Sequence, residues 1–127
     1  MSYIYIFLGG GLGAIFRYLT TKLVNNSSDK LSFISHYHSV VIVNLIGCII
    51  YAILLLFISR TLNISSNAKL FIFTGLLASY TTFSTFVFET FDLFYKDGIA
   101  IAFNYFCISL ISSFIGFFII YRLHVQN

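Results

Sequence analysis

The chain has no proline and no tryptophan, and among 127 residues only seven are Lys or Arg and four Asp or Glu. So little charge cannot clothe a globule of this length in solvated surface, because an ordinary soluble domain is about one-quarter charged. A disordered segment is excluded too, since 59% of the residues are hydrophobic and 20% aromatic. The net charge of +3 comes from scattered residues with no basic cluster, so no nucleic-acid partner is expected. Cys48 and Cys107 both sit in apolar stretches and read as small core residues, without companions for a disulfide or metal site. The length suits one domain.

What the chain does have is long uncharged runs. Residues 1–16, 31–59, 70–88 and 98–121 contain no formal charge. A bilayer core of about 30 Å takes about 20 apolar residues as a helix. Four spans fit, at about 3–23, 38–59, 69–95 and 98–121. A membrane β-barrel would alternate apolar and polar residues, and runs such as CIIYAILLLFI and FIGFFII do not. The fold class expected is therefore an all-α membrane protein of four transmembrane helices, one membrane domain over 1–127. A cleaved leader is disfavoured because MSYIY lacks a positive n-region.

Basic residues in cytoplasmic loops normally set orientation. Here Arg60, Lys69 and Arg122 fall on one side and Lys22, Lys30 and Lys96 on the other, with Arg17 inside helix 1. That balance leads us to expect insertion in both orientations.

Several features carry chemistry. Gly9-Gly10-Gly11-Leu12-Gly13-Ala14 contains a loose dinucleotide fingerprint, but it lies in an apolar span and outside any βαβ context. Gly9/Gly13 and Gly10/Ala14 instead make a small-residue face for close helix packing, with Gly47 and Gly75 as further packing glycines. Arg17 either snorkels to the interface or forms part of an anion-attracting vestibule. Asn44, in VVIVNLIG, is interhelical glue or a ligand group. The segment Thr74–Phe86 holds six Ser or Thr among thirteen residues at the middle of the third span. Hydroxyls bend helices, and a break at that depth must be buried or line a wet cavity. Phe83 and Phe86 share a face, and their ring edges carry partial positive charge. Tyr105, Ser109 and Ser113 form a hydroxyl stripe on the fourth span, and Glu89 stands three residues after Phe86. His36 and His38 read as loop residues.

Together these residues resemble the CrcB/Fluc fluoride channel family. The resemblance runs through GGGLGAIFRY (9–18), VNLIG (43–47), TTFSTF (81–86) and Tyr105/Ser109/Ser113, in that order. It implies a passive fluoride channel in the bacterial plasma membrane, not an enzyme. The implied assembly is an antiparallel dual-topology dimer with two pores and a central structural Na+. The dimer implied is a homodimer or, where paralogues occur, a heterodimer. By match, Asn44 donates its amide to fluoride and Phe83 and Phe86 present ring edges. Ser84, Thr85, Tyr105, Ser109 and Ser113 line a polar track, while Arg17 and Glu89 mark the vestibule or pore end. The resemblance also implies a helix 3 broken near its middle, with backbone carbonyls of Ala78 and Thr81 holding sodium. The family usually has Gly where this chain has Ala78, and often again at Ser79.

The physical logic is simple. HF crosses lipid as a neutral acid and dissociates inside, trapping fluoride. An inside-negative potential, worth about 2.3 kcal/mol per charge per 100 mV, then drives the anion out through any selective pore. A proton-coupled exporter of the small multidrug type is the alternative, but it needs a membrane-embedded Glu in helix 1, where this chain has only Arg17. A non-transporting scaffold would explain the glycine faces and not the Ser/Thr/Phe segment.

Overall fold

The computed structural model describes residues 2–28, 35–60 and 64–125, all but a few of them helical. Helices α1 (Ser2–Ser28), α2 (Ser35–Arg60) and α6 (Ile99–Val125) are continuous. Between α2 and α6 come α3 (Ser66–Lys69), a π-helical stretch π1 (Leu70–Leu77), α4 (Ala78–Tyr80) and α5 (Phe83–Asp97). Four stretches among the described residues are long and apolar enough to cross a membrane: Ser2–Asn26, His38–Ile58, Ser66–Asp97 and Ile99–Leu123. Three of the four run a few residues past the apolar windows expected from sequence, because polar residues such as Asn25 and Asn26 continue the helical ladder. His36 and His38 lie in the first turns of α2 and not in the preceding loop. Lys30, used in the charge balance, falls outside the described residues.

Local chemistry sets the joints. Ser65 caps α3 by accepting from the Ala68 N–H at 3.2 Å, and Thr82 caps α5 by accepting from the Thr85 N–H at 3.3 Å. Between α5 and α6 stands one residue, Gly98, at φ +91° and ψ 170°. Only glycine adopts that conformation without strain, and it turns the third span into the fourth. Between α4 and α5 the backbone is extended, with Thr81 at φ −76°, ψ 155° and Thr82 at φ −146°, ψ 115°.

Helix α1 packs on π1 and α4, α2 on α6, and α5 on α6. The first contact depends on missing side chains. A Cβ on Gly9 would overlap the Phe71 carbonyl oxygen, and one on Gly13 the Leu76 carbonyl oxygen. A Cβ on Gly75 would come within 2.9 Å of the Gly9 Cα. Backbone thus rests on backbone, the close approach that small residues permit in membranes. Gly10 faces the Ser79 hydroxyl, and Gly47 faces the Thr81 methyl.

The core joins Val40 and Val41 of α2, Phe86 and Leu93 of α5, and Ala102 and Tyr105 of α6. The outside is apolar as well: Phe7, Phe57, Phe88, Phe103, Phe114 and Phe118 are all exposed. A water-soluble surface avoids such contiguous apolar area. These rings are suited to lipid.

Candidate functional site

The extended Thr81–Thr82 link lies within the third span, where unsatisfied backbone groups are expensive. Asn44 meets that need. Its Oδ1 accepts from the Thr82 N–H at 2.8 Å, and its Nδ2 donates to the Thr82 carbonyl at 3.1 Å. The carboxamide oxygen thus replaces the helical acceptor that the Thr82 N–H loses at the break, and its nitrogen adds a second donor to a carbonyl that already starts α5. A carboxamide nitrogen carries two N–H donors, so one remains after the bond to Thr82.

Two cavities meet at this link. The first, of about 520 Å³, lies between α2, the third span and α6. Asn44, Thr81 and Thr82 line it on one side, Ser109 and Ser113 on another, and Phe83 and Phe86 near its end. Its wall includes no Asp, Glu, Lys or Arg. The second, of about 360 Å³, lies between α1, α2 and α5 and is lined by Arg17, Ser39, Thr85 and Glu89. Thr82 belongs to both walls, and its hydroxyl shares a 2.8 Å hydrogen bond with that of Thr85.

The residues singled out in the sequence thus divide. Asn44, Phe83, Phe86, Ser109 and Ser113 come together in the first cavity, with Ala78, Thr81 and Gly47. Arg17, Thr85 and Glu89 come together in the second. Ser84 is exposed and lines neither. Tyr105 also lines neither; it is buried, donates to Glu89 Oε2 at 2.6 Å and packs on Phe86 at 5.8 Å between ring centroids. Phe83 and Phe86 contact each other at 5.8 Å, yet Phe83 is 73% exposed and Phe86 only 3%.

Two residues were missed as individual sites. Thr82 had a signal, because Thr with a residue three places on to bond is an N-cap pattern. Ser39 is 2% exposed on the second cavity's wall; a lone Ser before a valine run gave no warning.

The backbone also bears on a cation. In an uninterrupted helix the Ala78 carbonyl would accept from the Thr82 N–H, and the Thr81 carbonyl from the Thr85 N–H. Here those donors are taken by Asn44 Oδ1 and Thr82 Oγ1. The carbonyls of Ala78 and Thr81 are left without their helical partners, and such hard oxygen donors fit a sodium ion.

Four apolar spans with their polar groups gathered on intramembrane cavities define a small multi-pass membrane protein. The chain belongs to the family described as "CrcB-like protein, Camphor Resistance (CrcB)", whose model matches residues 4–121. It is 36% identical over 106 residues to the fluoride-specific ion channel FluC of Flavobacterium psychrophilum, covering 84% of this chain and 82% of that one. It is 37% identical over 118 residues to the FluC of Thermosipho melanesiensis, covering 93% and 89%. With the FluC of Thermosipho africanus it shares 41% over 90 residues, 70% and 69% of the two chains. These relatives are bacterial ion channels by name.

Proposed function

We propose that this chain is a fluoride-selective passive channel that releases cytoplasmic fluoride. We further propose that it works as an antiparallel, dual-topology homodimer with two pores and one structural sodium ion. The single observation that carries the reading is the first cavity: an amide, hydroxyls and phenyl rings at membrane depth, with no charged group on the wall. Fluoride is small and strongly hydrated, so a pore must replace its water with close donors. Neutral donors do this without the tight binding that a fixed ammonium would impose.

In this reading the free N–H of Asn44 and the hydroxyls of Ser109 and Ser113 bind the anion in turn. The edges of Phe83 and Phe86 accompany it across the break. The N-terminus of α5, which starts at Phe83, adds its positive dipole end. Arg17 raises the anion's local concentration at the mouth of the second cavity. Carbonyls of Ala78 and Thr81, doubled by a second copy of the chain, would hold sodium, which supplies a fixed positive centre and is not transported. The exposure of Phe83 and Ala78 in the single chain leaves both available to such a partner.

The test is efflux from liposomes holding the purified protein, followed with fluoride- and chloride-selective electrodes. Fast fluoride loss with little chloride loss is expected. A well-folded dimer that passes no fluoride, alone or co-expressed with a paralogous subunit, would overturn the reading.

A further inference from the structure

The first cavity extends well beyond the residues discussed so far. Along α2 its wall is Asn44, Gly47, Cys48 and Tyr51, spaced by three, one and three, which is one face of an α-helix. Three contacts put the other two walls in register with this face. Asn44 is level with Thr82 through their paired hydrogen bonds. Cys48 faces Ser113 across the cavity. Tyr51 is level with Phe73 and Phe117, at ring-centroid separations of 5.0 and 6.5 Å. The cavity therefore runs along the helix axes from Asn44 to Tyr51, about 10 Å at 1.5 Å per residue. Its polar wall weakens toward the Tyr51 end, where Phe73 and Phe117 stand opposite.

The depth of Tyr51 is the second observation. Tyrosines of membrane helices usually sit at the interfaces, with the hydroxyl among the headgroups. Tyr51 lies in the span His38–Ile58, three residues from its middle residue, Cys48. That places it about 5 Å from the midplane along the axis, deep within the hydrocarbon layer. A hydroxyl at that depth normally has a partner, and an unpaired one is costly. Among the described residues none is hydrogen-bonded to the Tyr51 hydroxyl, and the residue remains 39% exposed. Tyr51 lines the cavity, so whatever occupies the cavity can supply the missing partner.

We infer that Tyr51 is a further pore residue, whose hydroxyl takes the anion on from Ser113 and carries it past the Phe73 and Phe117 rings. This rests on the channel reading above and extends it by naming the donor at the far end. A neutral phenol O–H suits the role for the same reason as the amide and serines do. It offers one close hydrogen bond and lets go.

The experiment is fluoride efflux from liposomes for the wild type, Tyr51→Phe and the double variant Tyr51→Phe/Phe117→Tyr, with dimer content checked by cross-linking. Tyr51→Phe removes one oxygen and keeps the ring packing. It is expected to remain dimeric and to lose about ten-fold in fluoride flux, the worth of one hydrogen bond. The double variant returns a hydroxyl to the same level from across the cavity and is expected to regain flux. Unchanged flux in Tyr51→Phe overturns the inference, as does loss of the dimer, which would give the hydroxyl to the subunit interface. A double variant as slow as the single one also overturns it, by assigning the loss to packing. A wild type that passes no fluoride refutes the channel reading itself, and is distinguished from these outcomes by its own trace.

Discussion

Asn44 and Thr82, 38 residues apart, exchange two hydrogen bonds, of 2.8 and 3.1 Å, across the interior of the bundle. The two readings of Asn44 from sequence, glue and ligand, are compatible in this geometry, because the amide group has more donors and acceptors than Thr82 engages.

Asn44→Ala is expected to leave the Thr82 N–H unpaired in the cavity wall, at about 1–3 kcal/mol for that buried orphan, while the Thr82 carbonyl loses one of its two donors. Thermal unfolding in detergent should show the loss, and fluoride efflux should fall with it. Asn44→Asp keeps the acceptor for the Thr82 N–H but removes the donors and brings a carboxyl to the wall. It should fold better than the alanine variant and still block flux. If Asn44→Asp conducted normally, the amide would have no part in handling the ion.

The glycine contacts separate close approach from helix propensity. Gly9→Ala puts a methyl against the Phe71 carbonyl and within 3.0 Å of the Leu76 nitrogen, backbone atoms that cannot rotate away. Gly11→Ala, two residues on, meets nothing within 4 Å. The first should destabilise by about 1–3 kcal/mol through overpacking. The second should be neutral or stabilise by up to about 1 kcal/mol, since Ala favours helix over Gly. Paired melting curves check this, and equal behaviour of the two variants would contradict the packing described.

Much of the fold was legible because charge is so scarce: between Lys30 and Arg60, or between Asp97 and Arg122, only a membrane span fits. The Ser/Thr density of Thr74–Phe86 likewise drew attention to the third span. Other features are tertiary and left no local mark. Nothing in LFIFTGLL distinguishes the π-helical winding of Leu70–Leu77 from ordinary α-helix, and nothing near Thr82 names Asn44 as its partner. The division of the site was available and went unused. Thr85 stands about 200° around α5 from Phe83, so the two could not line one cavity, whereas Thr85 and Glu89, four apart, share a face. Tyr105, grouped with Ser109 and Ser113 by spacing, lies two turns before Ser113, level with Glu89.

Phe83 and Phe86 separate conduction from folding. Phe86 is wedged between Tyr105 and Phe106, with ring centroids at 5.8 and 5.6 Å, so Phe86→Ile should cost about 1–3 kcal/mol as a shape change in a packed core. Phe83 is largely uncovered by its own chain, so Phe83→Ile should leave the melting temperature and the dimer in place while cutting fluoride efflux. Comparing unfolding and efflux for both variants checks the assignment. Unchanged efflux in Phe83→Ile would remove that ring from the mechanism.

Sodium dependence tests the backbone at the break. Ala78 sits at φ −66° and ψ −30°, ordinary right-handed helix, so this position does not need the glycine usual in the family. What matters for a cation is the carbonyl, whose helical donor, the Thr82 N–H, is held by Asn44. Replacing external and internal sodium with a bulky organic cation should therefore weaken the dimer or its flux in the wild type. Ala78→Gly should keep that dependence or strengthen it, since the carbonyl is retained and the backbone is freer to turn toward the ion. Efflux and dimer content across a sodium titration measure both. Weaker sodium dependence in Ala78→Gly would mean that the cation site lies elsewhere. Asn44→Asp, which still holds the Thr82 N–H, should retain sodium-dependent assembly after conduction is lost, because the contact that lines the cavity also keeps that N–H from the Ala78 carbonyl.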